Sequence, residues 1–419
     1  MERESRTLEY KEKITQTFLK TVSAYANYND GTIMFGVSDD GRIIGIDDPI
    51  ATCVNIENMI NDSIDPKPDF RLDIDKKNKT ITLYVFEGID KPYCYKNKAY
   101  KRNDSVTAPV DRLEFTRLSL EGQNLSYEQL GTNEKNLSFH ILEDEFKDKL
   151  KIDNFDNDTL KTLELINSKS EPNNAAAILA DKNSYNVMDI VRFGDSMDEI
   201  SERVTISKVS AIEAYNEAIK VFIRYYRKEK IIGDRREIIE MIPEKAYREA
   251  VANAIVHRTW DVNGAIQIGM YKDKVEITSP GGLPSNISEE EYIRGRVSVQ
   301  RNPIIAGVFA RLGIIEKFGT GIKRINACYK SEEKKPEYEI YENSITVILP
   351  ILGDSYRLDT NERTITKLLS PNKVLTRLEI EELSGMEKTK VVRILNNLID
   401  KRIIEKLGSG RGTKYALKI

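Results

Sequence analysis

Two histidines, three cysteines and one tryptophan occur among 419 residues, and each scarcity excludes something. With only His140 and His257, a histidine-based metal centre is all but excluded. Cys53, Cys94 and Cys328 lie far apart with no CxxC spacing, so they read as reduced packing residues rather than a disulfide or zinc framework. No apolar run approaches the ~20 residues of a transmembrane helix. The start, MERESRTLEYKEK, is charged and has no apolar signal region, so a cytoplasmic protein is expected. Charged residues make up 31% and hydrophobic ones 40%, a folded globular balance rather than a disordered one.

Strong net charge is also missing, at −3 for the whole chain, but that balance hides an asymmetry. Residues 361–419 hold 13 Lys/Arg against 7 Asp/Glu, an excess of +6, which leaves −9 for the rest. Only this tail carries an excess that suits nucleic acid. The length predicts roughly two to four domains, and the pattern divides into four parts. Residues 1–115 read as a small α+β unit, with an amphipathic helix (Ile14, Phe18, Val22, Tyr25) and the strand TIMFGVS. The turn DDGR, the strand IIGI, a helix near 56–64 and the hairpin FRLDID–KKNK–TITLYVFEG follow. Residues 116–235 read as a connecting α/β region, and residues 236–352 as a second α/β domain. Beyond a linker at 353–358, residues 359–419 form the basic end.

That end has the arithmetic of a winged helix-turn-helix. A helix TITKLLS stops at Pro371, and Thr376 with Glu379 predicts a capping box opening the helix RLEIEEL. The turn SGM leads to a third helix, EKTKVVRILNNLIDKR, with Val392, Leu395, Leu398 and Ile399 inward. Lys388, Thr389, Lys390 and Arg393 then occupy the outward start of a recognition helix, and Arg411 sits at the tip of the hairpin IIEKL–GSGRG–TKYAL. A protein–protein module is the alternative; the positive excess favours DNA.

Residues 248–258 read REAVANAIVHR, in which Glu249, Asn253 and His257 recur every four residues. Steps of four advance about 400° around a helix, so the three drift only ~40° per step and share a face. A solvent-facing stripe would explain them. However, Ala250, Ala252 and Ala254 let something approach closely, and a desolvated carboxylate needs a cation or ligand. Two glycine-rich loops follow, SPGGLP (279–284) and FGTGIKR (318–324), the second opening a helix. Such loops turn backbone N–H groups toward phosphate oxygens.

Taken in this order, REAVANAIVHR, ITSPGGLP and RNPIIAGVFARLGIIEKFGTGIKRI resemble the Bergerat-type ATPase domain of the gyrase, histidine kinase and MutL group, most closely the subgroup in RecG-like transcriptional regulators. The resemblance implies ATP with Mg²⁺ held through Asn253, and Glu249 acting on the attacking water. It implies Gly281 and Gly282 along the nucleotide, and Gly319 and Gly321 over the phosphates. His257, one turn beyond Asn253, is counted with this site. The group's adenine-selecting Asp is absent: Thr278-Ser279-Pro280 stands there.

ESRTLEYK, VSAYANYNDGTIMFGVSDDGRIIGI and AYKRNDS resemble the Schlafen, Alba-like domain. In its nucleolytic members three acids form the active site, and their spacing matches Glu4, Glu9 and Asp39. Such acids would hold Mg²⁺ or Mn²⁺ and activate water against a phosphodiester. Read alone, Glu4 and Glu9 are charges favouring the following helix. Tyr93, Tyr95 and Tyr100 alternate with Lys91, Lys96, Lys98, Lys101 and Arg102. This is either a base-stacking, phosphate-pairing strip or an edge strand with charged gatekeepers. The expectation is an α+β multidomain protein, a nucleotide-responsive DNA-binding regulator and a homodimer. The alternatives are a metal-dependent nuclease acting on structured RNA and a dimer scaffold that has lost its ligand.

Overall fold

Alternation in TIMFGVS builds the strand Gly31–Phe35, with Gly31, Ile33 and Phe35 turned inward. The computed structural model describes residues 3–151, 154–232, 235–284, 287–295, 299–316, 319–330, 332–352, 358, 360–369, 373–400, 403–408 and 410–417. The chain divides into two units, Met1–Gly131 and Thr132–Ile419.

In the first unit a four-stranded sheet has the order Leu8–Lys11, Gly31–Phe35, Thr80–Val85, Phe70–Asp75. Its first pair is parallel and the others antiparallel. Helices Phe18–Tyr28 and Pro49–Ser63 contribute Phe18, Val22, Tyr25, Ile56 and Ile60 to a core shared with Ile33, Phe35, Ile81 and Leu83. The expected strand IIGI is reduced to a single bridge between Val37 and Ile43 across the DDGR turn.

The motif VSAYANYNDGT owes its polar residues to backbone pairing. Ser23 and Asn27 lie one turn apart on the helix Phe18–Tyr28 and are fully buried. The Asn27 amide donates to Tyr93 O at 2.8 Å and accepts from Tyr93 N–H at 2.8 Å, as a neighbouring strand would. Ser23 Oγ donates to the same carbonyl at 2.7 Å. Asp30 accepts the Glu87 N–H at 2.8 Å. Tyr93, Tyr95 and Tyr100 are therefore core residues, 4%, 4% and 7% exposed. The stacking-strip reading fails because their rings fill the space under this helix.

In the second unit a six-stranded sheet has the order Ile200–Val209, Lys182–Phe193, Ile266–Met270, Lys274–Pro280, Ser344–Pro350, Glu337–Tyr341. The pair Lys182–Phe193 with Ile266–Met270 is parallel and the rest are antiparallel. Ile266, Ile268, Met270, Val275 and Ile277 meet a layer of helices that includes Ala211–Tyr226, Glu244–Val256, Pro303–Arg311 and Gly321–Cys328. The segment expected as a connector thus supplies two strands and a helix of this sandwich. A parallel partner some 80 residues away leaves no local mark in the sequence.

The C-terminal stretch has helices Thr360–Leu368, Arg377–Ser384 and Lys388–Asp400, with a three-stranded sheet ordered Leu375–Thr376, Lys414–Leu417, Ile404–Leu407. Thr376 and Glu379 cap the second helix reciprocally. The inward face of Lys388–Asp400 is Val391, Ile394, Leu395 and Leu398, while Val392 is exposed. The expected inner face was thus rotated: apolar residues at 391–392 and 394–395 permit two stripes, and the hairpin contact selects one. Among the described residues no helix is long and apolar enough to cross a membrane.

Replacing Asn27 with Leu would leave the buried Tyr93 N–H unpaired and its carbonyl with the Ser23 hydroxyl alone. We expect a loss of roughly 1–3 kcal/mol in the urea unfolding of the full chain; a loss under about 0.5 kcal/mol would contradict the strand-mimic role.

Candidate functional site

The alanine-rich helix Glu244–Val256 is buried along most of its length, and its polar stripe opens onto a cleft. Glu249, Asn253, His257, Gly282, Gly319 and Gly321 all line that cleft, whose empty space is about 810 Å³ with open solvent included. Glu249 is 7% exposed, while Asn253 and His257 are half-buried. Helical spacing of four has therefore brought the three polar groups into one cavity, together with three of the four expected glycines. Gly281 lies just outside it.

Glu249 sits in a conflict of two effects. Burial raises its carboxyl above the usual range, and the Arg324 guanidinium at 3.7 Å opposes that rise. Arg324 in turn contacts Glu316, at the exposed rim. The backbone of Gly321 lies directly on the pair: a Cβ there would stand 2.6 Å from Asn253 Nδ2 and 2.8 Å from Glu249 Oε1. A side chain at 321 would displace either the loop or the Asn253 and Glu249 side chains from this arrangement. Next to it the Thr320 hydroxyl is buried without a hydrogen-bond partner, and the Asn253 amide has none among the described residues. A free amide and a helix start at Gly321 on the cleft lining, with an orphaned hydroxyl next to them, fit a phosphate chain with its Mg²⁺. Among the described residues, no group of three or more His, Cys, Asp or Glu could hold a metal by itself. A cation here would depend on phosphate and water for most of its ligands.

Arg301 fixes the other wall. Its guanidinium donates to His257 O at 3.0 Å, Thr259 Oγ1 at 2.8 Å and Gly282 O at 2.8 Å. Gly281, at φ +109°, is packed against Thr259 and Arg301, where a Cβ cannot fit. Asn302 donates to Val256 O at 2.7 Å and Arg258 O at 2.8 Å, closing the helix end. Sequence reasoning passed over Arg301, Asn302, Glu316 and Arg324, although all four lie in or beside RNPIIAGVFARLGIIEKFGTGIKRI. Within the stretch Thr278-Ser279-Pro280, which lacks the expected Asp, Ser279 Oγ donates to Ala254 O at 2.7 Å and ties strand to helix.

In the first unit the three acids do not form a metal-holding group. Glu4 accepts the Tyr10 N–H at 2.8 Å, and Asp39 is exposed in the DDGR turn. Glu9 is buried and neutralised by Arg102 at 3.0 Å and by Lys11. Arg102, 4% exposed, also donates to Ser5 O at 2.9 Å and Thr107 Oγ1 at 3.2 Å. It is an internal tie rather than the expected nucleic-acid contact, because its guanidinium is the countercharge of Glu9. Lys101 pairs with Glu114 at 3.2 Å. In the C-terminal stretch Lys388, Thr389, Lys390 and Arg393 are all exposed. Arg411 belongs to the turn Gly410–Gly412, and its side chain lies outside the described residues.

Burial pushes the His257 imidazole down to about 4, with the Arg301 charge adding to the effect. An unfolded histidine, near 6.5, takes up a proton that the folded one refuses, so stability is lost as pH falls from about 6.5 toward 4. His257→Gln removes that titration. It is expected to lose less melting temperature than the wild type between pH 7 and pH 5 in calorimetry; parallel curves would contradict a desolvated, neutral imidazole.

Residues 4–111 match the family described as "Schlafen, AlbA_2", and residues 263–349 match "Putative ATP-dependent DNA helicase recG C-terminal". Among solved structures, the DIP2311 protein from Corynebacterium diphtheriae is similar at 18% identity and a TM-score of 0.50, over 99% of this chain and 92% of its own. The N-terminal domain of a RecG-related protein from Nitrosomonas europaea is similar at 18% identity and a TM-score of 0.21, over 27% of this chain and 85% of its own. No curated protein matches. The chain therefore joins a segment like the Schlafen, AlbA_2 family to one like the RecG C-terminal family.

Proposed function

We propose that this protein is a nucleotide-responsive, DNA-binding transcriptional regulator. The observation that carries the nucleotide part is the meeting of Glu249, Asn253 and Gly321 in one cleft beside an orphaned Thr320 hydroxyl. The family match over residues 263–349 supports the same reading. Asn253 would hold Mg²⁺ on a nucleoside triphosphate, where the ion neutralises phosphate charge. The backbone from Gly319 to Gly321 would cover the phosphates, and Gly281 and Gly282 would line the nucleotide. His257, neutral at pH 7, shapes the end of the site.

For DNA, the support is the exposed row Lys388, Thr389, Lys390 and Arg393 on the first two turns of helix Lys388–Asp400. We read the three helices and the three-stranded sheet as a winged helix-turn-helix with this helix as the reader and Arg411 in the wing. A metal-dependent nuclease against structured RNA is the second reading, favoured by the match over residues 4–111. The Glu9–Arg102 pair weighs against it, since a carboxylate neutralised by a buried guanidinium is a poor cation ligand.

Two experiments test the proposal. With Mg²⁺ and ATP at 100 times Kd, the nucleotide should stabilise its unit by about 2.7 kcal/mol. That shift should disappear in Asn253→Ala; no shift in the wild type, or an equal one in the variant, refutes the site. Replacing Lys390 and Arg393 with Ala should weaken DNA binding across sequences and lower the log–log salt slope by roughly one unit per lost phosphate contact. Unchanged binding and slope would remove the C-terminal helix as the reader.

A further inference from the structure

Glu249 meets the cleft with its two oxygens in different surroundings. Oε2 faces Arg324 at 3.7 Å, whereas Oε1 faces Gly321 and the loop beside Asn253. Among the described residues Arg324 alone ion-pairs with this carboxylate. Arg324 stands in the first turn of helix Gly321–Cys328, so the helix that begins on Asn253 also carries the cation that reaches Glu249. The other side of the guanidinium contacts Glu316 at the cleft rim, which leaves one cation between two carboxylates.

A general base works when a third group fixes its orientation, leaving one atom free toward the reacting water. Arg324 on Oε2 and Glu316 on Arg324 supply the fixing groups, and Oε1 lies on the cleft lining beside the Gly321 backbone. We propose that Arg324, held by Glu316, is the positioning residue that aims Glu249 Oε1 for hydrolysis of a nucleoside triphosphate bound in this cleft. The inference rests on the nucleotide reading and adds turnover to it. In the step, the oxygen of a water forms a bond to the terminal phosphorus. The bond from that phosphorus to its bridging oxygen breaks, and the bridging oxygen leaves on the nucleoside diphosphate with the electron pair. The proton from the water passes to Glu249 Oε1 and then to solvent.

A tie that merely stabilised the helix would affect folding and binding alike, whereas a positioning role separates kcat from KM. In the full chain with Mg²⁺, Arg324→Ala is expected to lower kcat about 100-fold, with KM and the ATP thermal shift unchanged. Added guanidinium ion at millimolar concentration should restore several-fold of that loss, and Arg324→Lys should fall between. Glu316→Gln, which leaves Glu249 and Asn253 untouched, should lower kcat in the same direction by less. An Arg324→Ala protein that keeps full kcat, or one that loses ATP binding and turnover together, overturns the proposal. So does a wild type that binds ATP with no turnover, which spares the nucleotide reading. A wild type without any ATP shift defeats that reading and this inference with it.

Discussion

A glycine backbone laid against a buried carboxylate and an amide is the contact on which the C-terminal unit's cleft depends. Gly321, without a Cβ, approaches Asn253 and Glu249 closely, and Glu249 lies 7% exposed on the cleft lining. Desolvation raises the carboxyl, and Arg324, four residues into the chain that follows Thr320, offsets only part of that rise. Loop, helix start and countercharge come from the consecutive residues 319–324, GTGIKR. The elements that position the opposite wall are as economical, since a single guanidinium, Arg301, joins helix end, strand turn and glycine loop.

The cleft was legible in the sequence because its groups follow a local rule. Spacing of four put Glu249, Asn253 and His257 on one face, and the glycine loops followed in chain order. What the sequence hid was non-local. That Lys182–Phe193 lies parallel to Ile266–Met270 cannot be read from either strand, so the sandwich extends further toward the N-terminus than the local pattern implies. Arg301, Glu316 and Arg324 carry no special spacing, and an arginine or a glutamate reads as solvated surface until a fold brings its partner within reach. The tyrosines at 93, 95 and 100 show the opposite error. Alternation with lysines suggested an outward strip, but Asn27 and Ser23 pair with the Tyr93 backbone and the rings fill the core.

Charge counts mislead in a related way. The cations of the first unit that stood nearest a candidate site are spent inside the fold: Arg102 on Glu9, Lys101 on Glu114, and Lys91 between Glu87 and Glu121 at 2.7 Å each. In the cleft Arg301 is used by carbonyls and Arg324 by carboxylates. A guanidinium already holding a buried carboxylate cannot leave it for a phosphate without exposing an unpaired charge to a dry site, which costs several kcal/mol. Positive charge available to a polyanion is therefore set by which cations the fold leaves exposed, and not by their number. By that criterion Lys388, Lys390 and Arg393 differ from Arg102, because helix Lys388–Asp400 buries Val391, Ile394, Leu395 and Leu398 and turns those three toward water.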